Sequence, residues 1–322
     1  SQANGIIPNL FHPTQLPQFL LMFGPALLAL IALLLLAWRP LRPRWSDLLV
    51  SATLIYGPPL LFLGLMTAAA GRSTYGIERL AGLPLPPGVV SHREIILQRW
   101  TSDPWTFLVV GGLLAGVMTL VWTSLTVGPE RQASLPRPTF FVLLLAGLGL
   151  VLVFAPEFVY LRDNFGTRMN TVFKFYYQAW LLFGLSGSYA IVQALRPRLG
   201  PAGSARVVAG AAAACAILMV LVGLIYPVAG VYSKTSGFRS ESPTFDATAH
   251  LSREAPAELA AARWIRANTA PAARVLEGKG ASYRADTNRI STMTGRPTLL
   301  GWDGHESQWR GSAYGEMAAG RV

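Results

Sequence analysis

Phe19-Leu20-Leu21-Met22-Phe23-Gly24-Pro25-Ala26-Leu27-Leu28-Ala29-Leu30-Ile31-Ala32-Leu33-Leu34-Leu35-Leu36-Ala37-Trp38 contains no charged residue and no polar side chain apart from the indole of Trp38. A helix rising 1.5 Å per residue crosses a hydrocarbon core of about 30 Å in about 20 residues, and this run has that length. Its apolar residues lie on every side of a helix, so only lipid or other helices can surround it. Similar blocks follow at Leu48–Ala70, Trp105–Leu125, Phe140–Phe154 (extending towards Tyr160), Val172–Leu195 and Val207–Tyr226. Gly57-Pro58-Pro59 falls within the second block, where a kink is expected because proline removes a backbone donor.

Composition agrees with these blocks. The 322 residues are 52% hydrophobic and only 13% charged, about half the charged share of a soluble domain, which is near 25%. The formal net charge of +11 rests on arginines in short connectors. Anionic lipid headgroups are therefore the expected partner, and nucleic acid is not, since no basic stripe is interleaved with aromatics. Cys215 is the only cysteine and lies in an Ala-rich run, which suggests a small buried side chain. The chain starts at Ser1 without a signal-peptide pattern and stops at Val322 within a polar stretch, so a piece of a longer protein is expected.

Arginine placement predicts sidedness. Arg39, Arg42 and Arg44 follow the first block, Arg131 and Arg137 the third, and Arg196, Arg198 and Arg206 the fifth, with few acids among them. The alternate connectors are balanced: Arg72, Arg79, Arg93 and Arg99 face Glu78, Glu94 and Asp103, and Arg162 and Arg168 face Glu157 and Asp163. Short arginine-rich loops stay in the cytoplasm. The chain start, the balanced connectors and everything after Tyr226 are therefore expected on the outer face of a multi-pass cell-membrane protein.

After the sixth block, Leu259, Ala262 and Ile265 share a helical face between Pro256 and Pro271. Arg274-Val275-Leu276 and Pro297-Thr298-Leu299-Leu300 suit short strands. The expected fold is an all-α polytopic membrane helix bundle of about six spans followed by the start of a small extracytoplasmic α/β domain. Residues 1–18 form an outer-face lead-in, 19–230 the bundle and 231–322 the second domain.

Two polar clusters are candidates for chemistry. The first runs from Glu157 through Arg168 into the fifth block, where Asn170, Lys174, Tyr177 and Gln178 recur at helical spacing as one stripe. A lysine and an arginine there suit a phosphate or pyrophosphate, with amide and phenol adding neutral hydrogen bonds. The same residue types also serve as snorkelling lysine and aromatic belt. The second cluster is Gly301-Trp302-Asp303-Gly304-His305-Glu306-Ser307-Gln308-Trp309-Arg310-Gly311, read as a glycine-bracketed loop. Asp303, His305 and Glu306 are residue types that move protons or bind a divalent metal, but the spacing is not that of a zinc site and no metal ligand is assigned. Trp302 and Trp309 suit stacking on sugar rings, or packing against the membrane. Arg289 is placed to complete an anion site with Arg310, and His12 and His92 are lesser candidates.

These residues carry a resemblance. Arg168-Met169-Asn170-Thr171-Val172-Phe173-Lys174-Phe175-Tyr176-Tyr177-Gln178-Ala179-Trp180 resembles the hallmark of the YYY membrane proteins, a prokaryotic family of unknown function. Asn288-Arg289-Ile290-Ser291, then Gly301 to Glu306 and Gln308 to Gly311, is similar to its second signature, and Phe11-His12-Pro13-Thr14-Gln15 also matches. Members resemble C-type (GT-C) glycosyltransferases, multispan enzymes that use polyprenyl-phosphate sugars at an outer-face site. The resemblance implies that Arg168 and Lys174 hold the lipid phosphate, that Asn170 and Tyr177 orient it, and that Trp302 to Arg310 bind sugar or acceptor. It also implies a longer amino-terminal part whose outer loops supply a catalytic carboxylate. A transporter or lipid flippase is the alternative, weakened by the lack of a charge at the centre of any block. A non-catalytic membrane scaffold is the third reading.

Overall fold

The computed structural model describes residues 5–10, 12–70, 91–128, 136–161, 167–196, 203–239, 244–278 and 280–321. Arg72, Glu78, Arg79, Arg131, Arg162, Asp163 and Arg198, on which the expected orientation rests in part, lie outside the described residues, as does Phe11. Contacts divide the chain into two units, Asn4–Ala229 and Gly230–Val322.

In the first unit the opening apolar run forms α1 (Leu16–Leu41), with Pro17 in its first turn, where the missing N–H costs no helical bond. It ends at Arg42, whose φ of 48° is left-handed. Next come α2 (Trp45–Ala70), running without interruption through Pro58 and Pro59, the short α3 (His92–Ser102) and α4 (Trp105–Thr126). They are followed by α5 (Thr139–Phe154), a 3-10 turn at Ala155–Glu157, α6 (Met169–Leu195) and α7 (Ser204–Gly223), and α8 (Ile225–Lys234) continues beyond a break at Leu224.

Five stretches among the described residues are long and apolar enough to cross a membrane: Leu16–Leu41, Trp45–Ala69, Trp105–Thr126, Thr139–Glu157 and Arg206–Lys234. The sixth expected span, α6, has 27 residues and the length to cross, about 40 Å. It is less apolar because Asn170, Lys174, Gln178, Ser186, Ser188 and Gln193 interrupt it. The protein is a helical polytopic membrane protein.

α1 packs against α4, α6 and α7, while α5 lies between α4 and α6. The core contains Phe19, Phe23, Leu27, Leu114, Leu143, Leu150, Tyr176 and Phe183. Ala32 of α1 meets Ala209 and Ala213 of α7, and small residues of this kind let helix backbones approach closely in lipid. That alanine face excludes Cys215, which is exposed rather than buried as expected. Hydroxyls within α4 are satisfied locally: Thr119, Thr123 and Ser124 donate to the carbonyls four residues earlier at 2.7 Å.

At one end of this unit β1 (Ile6–Pro8) pairs antiparallel with β2 (Val159–Leu161), with Ile7 opposite Tyr160. The chain start, α3 and the connector after α5 thus gather at a single end of the bundle. At the other end Arg206 donates to the Arg196 carbonyl at 2.8 Å and the Thr139 and Tyr189 hydroxyls meet at 2.6 Å.

The second unit holds α9 (Leu251–Glu254), α10 (Pro256–Asn268), α11 (Ile290–Thr294), α12 (Asp303–Arg310) and α13 (Ala313–Ala318). Leu259 and Ala262 are the buried face of α10. The two expected strands reduce to one parallel bridge, Val275 to Thr298, with α11 between them. The expected loop at Asp303 is helical instead. Trp302 supplies the extended N-cap, Asp303 and Glu306 sit in the first turn where the helix dipole favours acids, and Arg310 lies in the last.

Candidate functional site

Glu157 sits where Pro156 has turned the chain out of α5 into a 3-10 turn, and its side chain is 2% exposed. Its carboxylate accepts from the Thr14 N–H at 3.1 Å, from the Thr14 hydroxyl, and from Arg168 Nη1 at 3.0 Å, with Arg99 Nη2 at 3.8 Å. Thr14 lies just before α1 and Arg168 is the N-cap of α6. Arg99 belongs to α3, whose start is capped by Ser91, with Ser91 Oγ accepting from the Glu94 N–H.

Arg99 also ties the backbone together. Its Nη2 donates to the Glu157 carbonyl at 2.8 Å, its Nη1 to the Asn9 carbonyl, and its guanidinium lies 4.7 Å from the centre of the Trp100 ring. Trp100 packs in turn on Phe107 and Phe158. Asn9 donates its side-chain amide to the Pro156 carbonyl at 2.8 Å and to the His12 carbonyl at 3.0 Å. Arg168 Nη2 donates to Thr14 Oγ1 at 3.0 Å, and the Tyr176 hydroxyl lies 3.2 Å from the same oxygen. The Thr106 hydroxyl at the start of α4 donates to the Thr14 carbonyl at 2.6 Å. Residues 9–14, 99–106, 156–157 and 168–176 are thereby joined around one carboxylate.

The electrostatics favour an anion. Two guanidiniums, 3% and 15% exposed, share one carboxylate, which leaves a cationic surplus in a sheltered place. Arg99 Nε is buried without an acceptor among the described residues. Burial pulls the Arg99 pKa down to about 10, with Glu157 opposing and Arg168 assisting, so it stays protonated at neutral pH. Desolvation, then Arg168 and Arg99, lowers the His12 pKa.

Lys174, Tyr177 and Gln178 lie together on the exposed face of α6, and Asn170 is half-buried above them. Arg168 does not join that face. It turns inward to Glu157, and Tyr176, rather than its neighbour Tyr177, turns inward to the Thr14 hydroxyl. Lys174 makes no hydrogen bond or ion pair among the described residues. The sequence marked Glu157 as the start of the first polar cluster and Thr14 as part of the Phe11–Gln15 motif without giving either a role, offered Arg99 only as a balancing charge, and did not point to Asn9. The available signal was a lone acid directly after a proline at the end of an apolar block.

In the second unit, the Trp302 indole N–H donates to Thr287 Oγ1 at 3.0 Å, and its ring lies 5.9 Å from that of Tyr283. His305 touches the rings of Tyr283, Trp302 and Trp309, with centroids 6.4, 6.4 and 6.0 Å away. Gly304 is needed there because a Cβ would stand 2.9 Å from the Tyr283 ring. Asp303 accepts from the Tyr314 hydroxyl, which pushes the Tyr314 pKa up to about 12. Glu306 pairs with Arg310 one turn on at 2.5 Å. Arg289, expected beside Arg310, instead donates both arms of its guanidinium to Glu258 of α10, while the Glu277 carboxylate receives the N–H groups of Arg289 and Ile290 at 3.2 Å. Among the described residues no group of three or more His, Cys, Asp or Glu side chains is placed to hold a metal ion.

A family model described as "Uncharacterized membrane protein (DUF2298)" matches residues 1–183, which include the whole Glu157 cluster and the Lys174 face. No curated protein and no solved structure matches the chain.

Proposed function

The chain belongs to the uncharacterized membrane protein family DUF2298, and from that premise we propose a glycosyltransferase-like membrane enzyme that uses a polyprenyl-phosphate-linked sugar at the extracytoplasmic face. One observation carries the reading: Arg99 and Arg168 share the single carboxylate of Glu157 in a sheltered place at one end of the bundle. A phosphate on a lipid reaches such a place from the bilayer, and it is the charge that the surplus lacks. Lys174, exposed on α6 with Tyr177 and Gln178 beside it, adds a further cation one to two turns into the helix, at headgroup depth.

In sugar transfer the departing lipid phosphate gains negative charge as the glycosidic bond breaks. Fixed guanidinium and ammonium groups stabilise that charge more in the transition state than in the bound donor. Asn170 and Tyr177 orient the phosphate. In the second unit, Trp302 and Trp309 offer faces for a sugar or acceptor ring. Of Asp303, His305 and Glu306, only the His305 side chain has no hydrogen-bonded or ionic partner among the described residues, so it is the group best able to move a proton.

The test is transfer from a polyprenyl-phosphate-linked sugar in proteoliposomes holding equal amounts of inserted protein. Lys174→Ala is expected to slow transfer roughly a hundredfold, the scale of removing one charge-stabilising donor. Arg168→Lys, which keeps the charge and loses the fork, falls between that variant and the unaltered chain. Equal rates for Lys174→Ala and Arg168→Ala and the unaltered chain remove the assignment.

A further inference from the structure

A groove of about 530 Å³ runs along the membrane part of the first unit, walled by Leu20, Gly24 and Leu28 of α1, Leu108 and Gly112 of α4, and Met219 of α7. We propose that it receives the single hydrocarbon tail of an anionic lipid whose charged head lies at the Glu157 end. The proposal rests on the lipid-phosphate reading above and names where the rest of that lipid goes.

Three observations converge on this occupant. The wall is apolar throughout, and Gly24 keeps it open, since a Cβ there would stand 3.2 Å from Met219 Cε on the facing wall. The volume suits one chain. A methylene takes up close to the ~30 Å³ share of a water molecule, so the groove holds roughly fifteen to twenty carbons, about one tail and not two.

The position joins tail to charge. Leu20 lies about 6 Å along α1 from its first residue, and Leu108 is within the first turn of α4. Those two helix starts are held together by the Thr106 hydroxyl on the Thr14 carbonyl at 2.6 Å, and Thr14 Oγ1 accepts from Arg168. The upper end of the groove therefore lies about one turn below the helix starts that Thr14 links to Arg168. A lipid with one tail and a phosphate head matches both features.

Binding to the purified full chain in detergent is measured with three probes: geranylgeranyl monophosphate, isopentenyl monophosphate and phosphatidylglycerol. The long-chain monophosphate is expected to bind at least about tenfold more tightly than the short one, because each buried methylene adds affinity. Gly112→Leu and Leu28→Trp, which fill the groove from opposite walls, are each expected to erase that advantage and leave isopentenyl monophosphate binding unchanged. Both variants retaining the advantage would overturn the proposal, as would phosphatidylglycerol competing on equal terms. Absence of sugar transfer by the unaltered chain, with tail discrimination intact, sinks the enzyme reading and leaves the groove standing. Transfer without tail discrimination does the reverse.

Discussion

Glu157 answers to two guanidiniums, and its removal is the most disruptive single change expected in the first unit. Glu157→Gln leaves Arg99 and Arg168 buried and uncompensated, a loss of about 3–5 kcal/mol by the behaviour of broken buried pairs. Thermal unfolding in detergent reads this as a marked fall in Tm. Lys174→Ala, which removes an exposed and unpaired side chain, is expected to leave Tm unchanged to within about 0.5 kcal/mol. His12 adds a pH term. Its folded pKa lies below the ordinary value of about 6.5, so the unfolded chain binds the proton more readily. The contribution is complete above about pH 6.5 and is lost as pH falls through the folded pKa. A Tm-against-pH series is expected to decline on acidification, and His12→Gln to decline less. Matching slopes for the two chains would count against the His12 contribution.

Among the elements, α2 is held to α4 by one residue in particular. Tyr56 donates its hydroxyl to the Leu108 carbonyl at 2.6 Å and lays its ring over Gly111, where a Cβ would stand 2.5 Å from the ring edge. Gly111→Ala must push the two helices apart, costing about 1–3 kcal/mol by overpacking. Tyr56→Ala combined with Gly111→Ala is expected to cost less than the two single changes added, since the clash is gone. Additive losses would show that the ring does not set the helix spacing. The same scale explains why the Asp303 stretch is helical. Bracketing glycines suggested a loop, but an extended N-cap at Trp302, acids in the first turn and the Glu306–Arg310 pair together stabilise a short helix.

For the whole molecule, the arginine pattern predicts one outer compartment for the Glu157 end and for the second unit. In a Cys215→Ser background, Thr167→Cys and Ser252→Cys are expected to react with an impermeant maleimide on intact cells, and Arg44→Cys only after permeabilisation. Labelling of Thr167→Cys and Ser252→Cys from opposite sides would break the sidedness argument. The first unit gathers the chain start, α3, the turn after α5 and the start of α6 at one end.

Apolar block length determined the membrane class and the helical spans, because the cost of placing charge and unpaired backbone in hydrocarbon is local and can be read residue by residue. The exposed stripe of Lys174, Tyr177 and Gln178 was legible for the same reason, being set by helical period alone. The joining of Asn9, Thr14, Arg99, Glu157 and Arg168 was not, since their mutual distances depend on how the helices pack and no local pattern encodes them. Cys215 makes the same point in reverse. Its composition suited burial, and only the choice of Ala209 and Ala213 as the face of α7 towards α1 turned it outward.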